Sequence, residues 1–180
     1  MSGPSSFRVR AAHGGDLPKL PPIEERAAQR FLDSRHPQLA TFPLFDPHQL
    51  AALVDAGNVW VATDSSDEPI GFAILGRIGS EAYLHEIDVE PSWSGRGVGR
   101  ALLRRVAEQA RARGHATLVL STCTDVPWNA PFYERVGFVI VPRSRYGAEL
   151  SALSERERMA GLPMESRVIM RALLDGPSLA

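Results

Sequence analysis

Three glycines fall within five residues, Gly95, Gly97 and Gly99, directly ahead of the helical run VGRALLRRVAEQARAR. Glycine is a poor helix former, so its concentration there signals a backbone that turns tightly or is approached closely. A strand, a glycine-rich turn and a helix N-terminus together make an anion-binding device. The first helical turn has unpaired N–H groups and the positive end of the macrodipole, and glycine lets a phosphate reach them. Two nucleotide-binding motifs share this logic, and both are excluded. The dinucleotide fingerprint needs G-x-G-x-x-G at the opening of a first βαβ unit, whereas the spacing here is G-x-G-x-G in mid-chain. The triphosphate-binding loop needs a Lys-Ser/Thr pair that does not follow. On spacing alone, a plain tight turn is the competing reading.

The elements that would position this turn follow from periodicity and breakers. FRVRAA (7–12) alternates and predicts a short strand. Asp16 is a possible helix cap, but Pro18, Pro21 and Pro22 confine regular helix to about 23–32. SRHPQLATFPLFDP reads as loop, and PHQLAALVDAG as a short helix ending at Gly57. NVWVATDS, PIGFAILGRI and AYLHEIDVEP are three strands in succession. The helix after the glycines carries Leu103, Val106, Ala107 and Ala110 as its inward stripe and ends at Gly114. HATLVLSTC is a strand, NAPFYERVG a short helix with Asn129 as its expected cap, and FVIVP a strand. Residues 149–161 form a further helix, and SRVIMRALL a closing strand. Consecutive strands followed by helix, strand, helix, strand predict an α/β (α+β) domain. Its central sheet is mixed, with six to seven strands flanked by helices.

Bulk properties narrow the function. The 180 residues suit one domain (1–180), and 44% hydrophobic with 23% charged residues is the composition of a soluble globular chain. A net charge of −1 gives no electrostatic footprint for nucleic acid. MSGPSSFRVR lacks the apolar centre of a signal peptide and no apolar run approaches spanning length, so the expectation is a cytoplasmic protein without a membrane partner. Cys123 is the single cysteine; it makes no disulfide and no cysteine metal site alone, and no metal is expected. Arg100, Arg104, Arg105, Arg111 and Arg113 fall mostly on the polar side of their helix and read as a solvated face.

The segment IDVEPSWSGRGVGRALL (87–103), followed by WNAPFYERVGF (128–138), resembles the GNAT superfamily of acyl-CoA-dependent N-acetyltransferases. The likeness is strong from about 83 to 141, the expected cofactor-binding core, while 13–57 carry no motif. The family pattern Gln/Arg-x-x-Gly-x-Gly/Ala falls on Ser94–Gly99: Gly97 and Gly99 match, and Ser94 departs, losing one side-chain contact but not the backbone nest. The resemblance implies a mostly antiparallel GNAT-like sheet and acetyl-CoA as co-substrate. It implies that backbone N–H groups of Arg96, Gly97, Val98, Gly99, Arg100 and Ala101 hold the pyrophosphate. Val89 would pair with the pantetheine arm, Asn129 would contact the same arm, and Tyr133 would point toward the thioester sulfur.

Acetyl transfer to an amine needs a neutral amine, a donor for the oxyanion and a proton for the thiolate. Glu86 is the candidate base; alternation puts Glu86 and Asp88 on one strand face and His85, Ile87 and Val89 on the other. Burial would lift its pKa from about 4.3 toward ~6–7, where a carboxylate is an effective base. His85 and a water chain are the alternatives. Tyr133 is the candidate general acid, since a phenol of pKa about 10 stays protonated and can donate to a thiolate. Cys123 lacks a base partner and reads as core, and Trp128 lines the acceptor pocket or packs. The chain then reads as an N-acetyltransferase acting on a small-molecule amine; the alternative is a non-catalytic CoA-binding sensor or scaffold of the same fold. A homodimer is compatible with either. The acceptor would enter between segments at about 20–57, with Glu24, Glu25 and Asp33, and 143–161, where Arg143 and Arg145 would hold a carboxylate or phosphate.

Overall fold

Short alternating or continuously apolar runs become strands in seven places: β1 (Arg8–Ala11), β2 (Val59–Thr63), β3 (Pro69–Ile78), β4 (Glu81–Val89), β5 (Thr117–Cys123), β6 (Val139–Ile140) and β7 (Arg167–Leu173). Five α-helices connect them: α1 (Leu20–Ala28), α2 (Pro47–Asp55), α3 (Val98–Ala112), α4 (Ala130–Arg135) and α5 (Ala148–Met159). The computed structural model describes residues 6–175, so the expected domain ends at 1–5 and 176–180 lie outside the described residues. One sheet has the order β1-β2-β3-β4-β5-β7-β6; β4 and β5 are parallel and every other neighbouring pair is antiparallel. Among the described residues, no helix is long and apolar enough to cross a membrane.

Each sheet face is buried by the helices whose apolar stripes meet it. On one face Trp60, Ala73, Leu75 and Leu84 pack against Leu102, Leu103, Val106 and Ala110 of α3. The expected stripe of α3 is therefore its buried face, and Arg100, Arg104, Arg111 and Arg113 are exposed as expected of a solvated one. On the other face Val59, Val61, Phe72 and Ile74 pack against Leu20 and Ile23 of α1 and Leu50 and Val54 of α2. Farther along that face α5 brings Leu150 and Leu153 onto Val119 and Ile169.

Four local expectations are corrected. Helix α1 starts at Leu20, because Pro21 and Pro22 occupy its first positions, where a missing N–H costs nothing; it tightens into a 3-10 turn at Gln29–Asp33. The expected loop contains another 3-10 turn, Pro37–Thr41, also opened by proline. Asp16 caps no α-helix: it is buried in a 3-10 turn (Gly14–Lys19), held by two bonds from Arg10 at 2.7 and 2.9 Å. Asn129 precedes α4 but its side chain makes no capping bond. Asp46 is a true cap, accepting from His48 and Gln49 amides at 3.0 and 3.1 Å.

The sheet parts in its middle. Strands β4 and β5 pair only at Ala82↔Leu118 and Tyr83↔Val119. Beyond them β5 stays in register with β7 to Cys123↔Arg167, while β4 follows β3 to Val89↔Gly71. The closed end of this wedge is pinned by Glu81, which accepts from Arg171 Nε and Nη2 at 2.6 and 2.8 Å and from the Thr117 hydroxyl at 2.9 Å. Burial works against the Glu81 charge, but the Arg171 and Thr117 bonds outweigh it and hold its pKa below the usual carboxylate range. A depressed folded-state pKa means that the stabilisation is present at neutral pH and is lost as pH falls through that value. Glu81→Ala should cost about 1–3 kcal/mol at pH 7, since it strands a half-buried guanidinium. By circular dichroism this is a Tm lower by roughly 3–8 °C, a gap that closes in acid; an equal Tm at pH 7 would show that the clamp contributes nothing.

Candidate active site

The wedge between β4 and β5 is the mouth of a cleft of about 670 Å³. Its walls are β4 from Leu84 to Val89, β5 from Leu120 to Thr122, the turn before α3, the start of α4, and Arg30 and Phe31 after α1. Where the strands have parted, the edge of β4 facing β5 has no ladder partner, so its N–H and C=O groups are open to a ligand.

At one end stands the glycine turn. Gly97 is the N-cap of α3 at φ 85° and Gly95 lies at φ 75°, both left-handed conformations that a side chain strains. A Cβ on either would meet no atom within 4 Å, so the demand for glycine comes from the backbone and not from crowding. Gly99 has an ordinary φ; its Cβ would touch Val89 and Phe132 at 3.8 and 4.0 Å. Within the expected Arg96–Ala101 nest, the two outermost amides are engaged by backbone. Arg96 N donates to Trp93 O at 3.4 Å and Ala101 N to Gly97 O at 3.0 Å, leaving Val98, Gly99 and Arg100 as the amides of the first turn. Such a turn fits a pyrophosphate, and the open strand edge fits an amide-bearing arm.

A register shift aims the chemistry. Ile74 pairs with Glu86 and Leu75 with Leu84, so His85 is a bulged extra residue. Strict alternation would place His85 with Ile87 and Val89, but the bulge breaks it. Leu84, Ile87 and Val89 join the α3 face, whereas Glu86 and Asp88 lie opposite Ile74 and Phe72, on the α1 face. His85 turns to the same side, stacking on Phe45 and Tyr83 at 4.8 and 5.3 Å between ring centroids. Helix α1 is tied over β4 by Arg26, whose Nε reaches both Glu90 carboxylate oxygens at 3.1 Å.

The bulge thus gathers three carboxyls. Glu24 on α1 is buried and accepts from Phe45 N at 3.4 Å. Glu86 and Asp88 are half-buried and line the cleft. Burial, then the charge of Glu24, lifts the Glu86 pKa to about 7. Burial and the charges of Glu86 and Glu24 raise Asp88 well above its ordinary value, and its Oδ2 has no hydrogen-bond partner. Desolvation, then the charge of Arg156, lowers His85.

Across the cleft Tyr133 is 8% exposed and packs edge-on between Phe132 and Phe138, with ring centroids 5.1 and 5.7 Å away. Burial first, and then the carboxylates of Glu86 and Asp88, raise its pKa above that of a free phenol. It is a proton donor throughout the neutral range. Asn129 lines the cleft beside it, and Trp128 forms the rim with Phe31 at 5.8 Å and the Arg30 guanidinium 4.4 Å over its face.

Other candidates fall elsewhere. Arg143 donates to Met164 O at 2.7 Å, and neither it nor Arg145 lines the cleft. Glu25 and Asp33 are exposed. Cys123 is buried with His36 and Asp125 nearby, their ligand-type atoms within 4.8 Å of one another. His36 Nε2 is already engaged, 2.9 Å from both Asp125 Oδ1 and Ser166 Oγ. Among the cleft residues that the sequence reading does not single out is Arg167, which, paired opposite Cys123, reaches the cleft from β7.

Comparison with known proteins agrees with this geometry. Residues 55–140 match the profile of the acetyltransferase (GNAT) domain. The N-alpha-acetyltransferase RimI of Mycobacterium tuberculosis is 34% identical over 99 residues, 52% of this chain and 61% of that protein. The chain therefore spans less than two thirds of that relative. Glucosamine 6-phosphate N-acetyltransferase 1 of Oryza sativa is 29% identical over 153 residues, 76% of this chain and 91% of the relative. Among solved structures, the PaiA N-acetyltransferase of Thermoplasma acidophilum, crystallised with coenzyme A, superposes with a TM-score of 0.70 at 15% identity, covering 93% of this chain and 99% of its own. Residues 55–140 of this chain are thus similar to the GNAT acetyltransferase domain, and its parted seven-stranded sheet has the fold of solved N-acetyltransferases.

Proposed function

We propose that the chain is an acetyl-CoA-dependent N-acetyltransferase that acts on a primary amine by direct attack, in the compartment where acetyl-CoA is made and used, the cytoplasm. One observation carries the reading. A strand edge and glycine turn suited to coenzyme A share a cleft with a carboxyl of pKa about 7 and a protonated phenol. The relatives support it: one is named for α-amines and one for an amino sugar phosphate, and both are N-acetyltransferases.

When bound, acetyl-CoA supplies the thioester whose acetyl group is transferred. The first-turn amides of Val98, Gly99 and Arg100, with the charge of Arg100 beside them, hold its pyrophosphate. Backbone of β4 at Ile87 and Val89, helped by Asn129, orders its amide-bearing arm along the parted edge. Glu86 takes a proton from the incoming ammonium, so that the nitrogen lone pair is free to form the new C–N bond. As the C–S bond breaks, Tyr133 would give its proton to the departing sulfur; the nitrogen's second proton and the one held by Glu86 pass to solvent, from which Tyr133 is reprotonated, for a net release of one proton. Burial and the neighbouring carboxylates oppose ionisation of Asp88 beside Glu86.

Gly97→Val should weaken coenzyme A binding roughly tenfold or more in calorimetry, because valine at φ 85° distorts the N-cap that aims the amides; unchanged affinity in a folded variant would remove the turn from the site. Glu86→Gln should lower kcat by about 10²-fold at pH 7, the loss shrinking as pH rises and more amine is neutral. The wild type should lose kcat/KM below about pH 7, as Glu86 takes up its proton, and the variant should lack that limb. Tyr133→Phe should cost less than Glu86→Gln, since a thiolate leaves tolerably without full protonation. Normal turnover of Glu86→Gln at pH 7 would transfer the base role to His85 or a water chain. A protein that binds coenzyme A yet acetylates no amine would be a sensor instead.

A further inference from the structure

Arg167 is a cation of the cleft wall that is built into the fold. Arg167 opens β7, opposite Cys123 on β5, and its side chain is 15% exposed. Ile169 and Arg171 share its strand face; Ile169 packs with Val119 and Leu150, so this is the face covered by α5, continuous with that of Glu86 and Asp88. Glu157 of α5 takes one arm of the guanidinium, Nη2 to Oε1 at 2.6 Å, and the Ser121 hydroxyl donates to the other Glu157 oxygen at 2.8 Å. Both partners come from regular elements, so the plane of the guanidinium is set before any ligand arrives. The Nε–H is buried and makes no hydrogen bond by geometry, with the Cys123 thiol of the facing strand interacting with the same guanidinium. A buried, charged donor left unmatched in an otherwise paired group is costly, which makes it a marker for a ligand atom. Its charge reaches the reacting groups, favouring the ionised forms of Glu86 and Tyr133.

Building on the acetyltransferase reading, we infer that Arg167 anchors the acceptor by its carboxylate and that the acceptor is a small α-amino-acid-like zwitterion. A planar guanidinium with one arm fixed by Glu157 can still offer Nε–H and a remaining Nη proton as a two-bond fork, the match for a carboxylate. The charged and titratable side chains around that place include Glu86, Asp88, His85 and Tyr83 from β4, Glu24 behind them on α1, Tyr133 across the cleft, and Glu157 and Arg156 from α5. The acids suit an ammonium, so a zwitterion meets Arg167 with its carboxylate and Glu86 with its nitrogen. The N-terminus of a peptide presents an amide carbonyl where the carboxylate would be, which accepts without bringing the charge. The anchor is thus Arg167, not the outward Arg143 or Arg145 that the sequence suggests.

The test is direct binding, which does not depend on turnover. N-acetylglycine and N-acetylalanine, and the methylamide of each, are titrated calorimetrically onto the CoA-loaded protein in wild type, Arg167→Lys and the charge-balanced double variant Arg167→Gln/Glu157→Gln. The carboxylates should bind the wild type about tenfold or more tighter than the methylamides. The preference should fall below about twofold in both variants, with coenzyme A affinity unchanged. Equal or absent binding of carboxylate and methylamide by the wild type overturns the assignment whatever the variants do. A preference that survives in folded variants overturns it as well. Thiol release on glycine and alanine, assayed separately, tests the reaction itself: a carboxylate preference without turnover leaves the anchor standing and removes the acetyltransferase reading.

Discussion

A parallel strand pair that ends after two residues is the constraint on which the rest of this molecule depends. Strand β5 is committed to β7 and β4 to β3, so neither can bend back to pair with the other beyond Tyr83 and Val119. The backbone groups of β4 that face the gap cannot be satisfied inside the chain, and buried polar backbone seldom goes without a partner. A cleft that presents a strand edge is therefore a site for something that pairs like a strand. The Glu81–Arg171–Thr117 clamp fixes where the parting begins, and the α3 crossover, which must return over the sheet for β5 to run parallel, places its N-terminus beside the gap. Phosphate-binding turn and strand edge thus come together from one topological event.

The second constraint is the bulge at His85. One extra residue hands Leu84 to the α3 core and Glu86 to the opposite face, so a single strand serves as core on one side and acid on the other. Three carboxyls under helix α1 repel one another and are poorly solvated, which opposes ionisation of all of them. Folding bears that cost, and the return is chemical: a carboxyl near pKa 7 takes up and releases protons at neutral pH, which an exposed glutamate does not. Tyr133 sits where those same acids make its proton harder to lose. The two groups have their proton affinities set by each other's surroundings.

Much of this was legible in the residues. The strands are marked by alternation, as in β1, or by short apolar runs bounded by turn residues, as in β2 and β3, and the glycine turn announces its left-handed backbone through Gly95 and Gly97. Glu86 and Tyr133, both singled out in the sequence, line one cleft. What was not legible depends on register. A bulge leaves no local trace in LHEIDV, so His85 was assigned to the wrong face. Arg167 reads as the first residue of an amphipathic closing strand; only the alignment of β7 with β5 shows that it points inward at Glu157. Arg143 and Arg145 look equally basic in sequence, but Arg143 serves as a brace to Met164 O. Proline misled in the other direction: Pro21 and Pro22 looked like breakers and are instead the first turn of α1.

The central claim is that coenzyme A occupies the parting of β4 and β5, its arm completing the β4 edge and its phosphates seated on the α3 N-terminus. Hydrogen–deuterium exchange of the protein with and without saturating coenzyme A tests this most directly. Protection should rise at two places, the amides of residues 84–89 and those of 97–100, while β1 and β2 stay unchanged because they lie outside the cleft. Protection spread evenly over the sheet, or confined to the glycine turn with none on β4, would contradict the account.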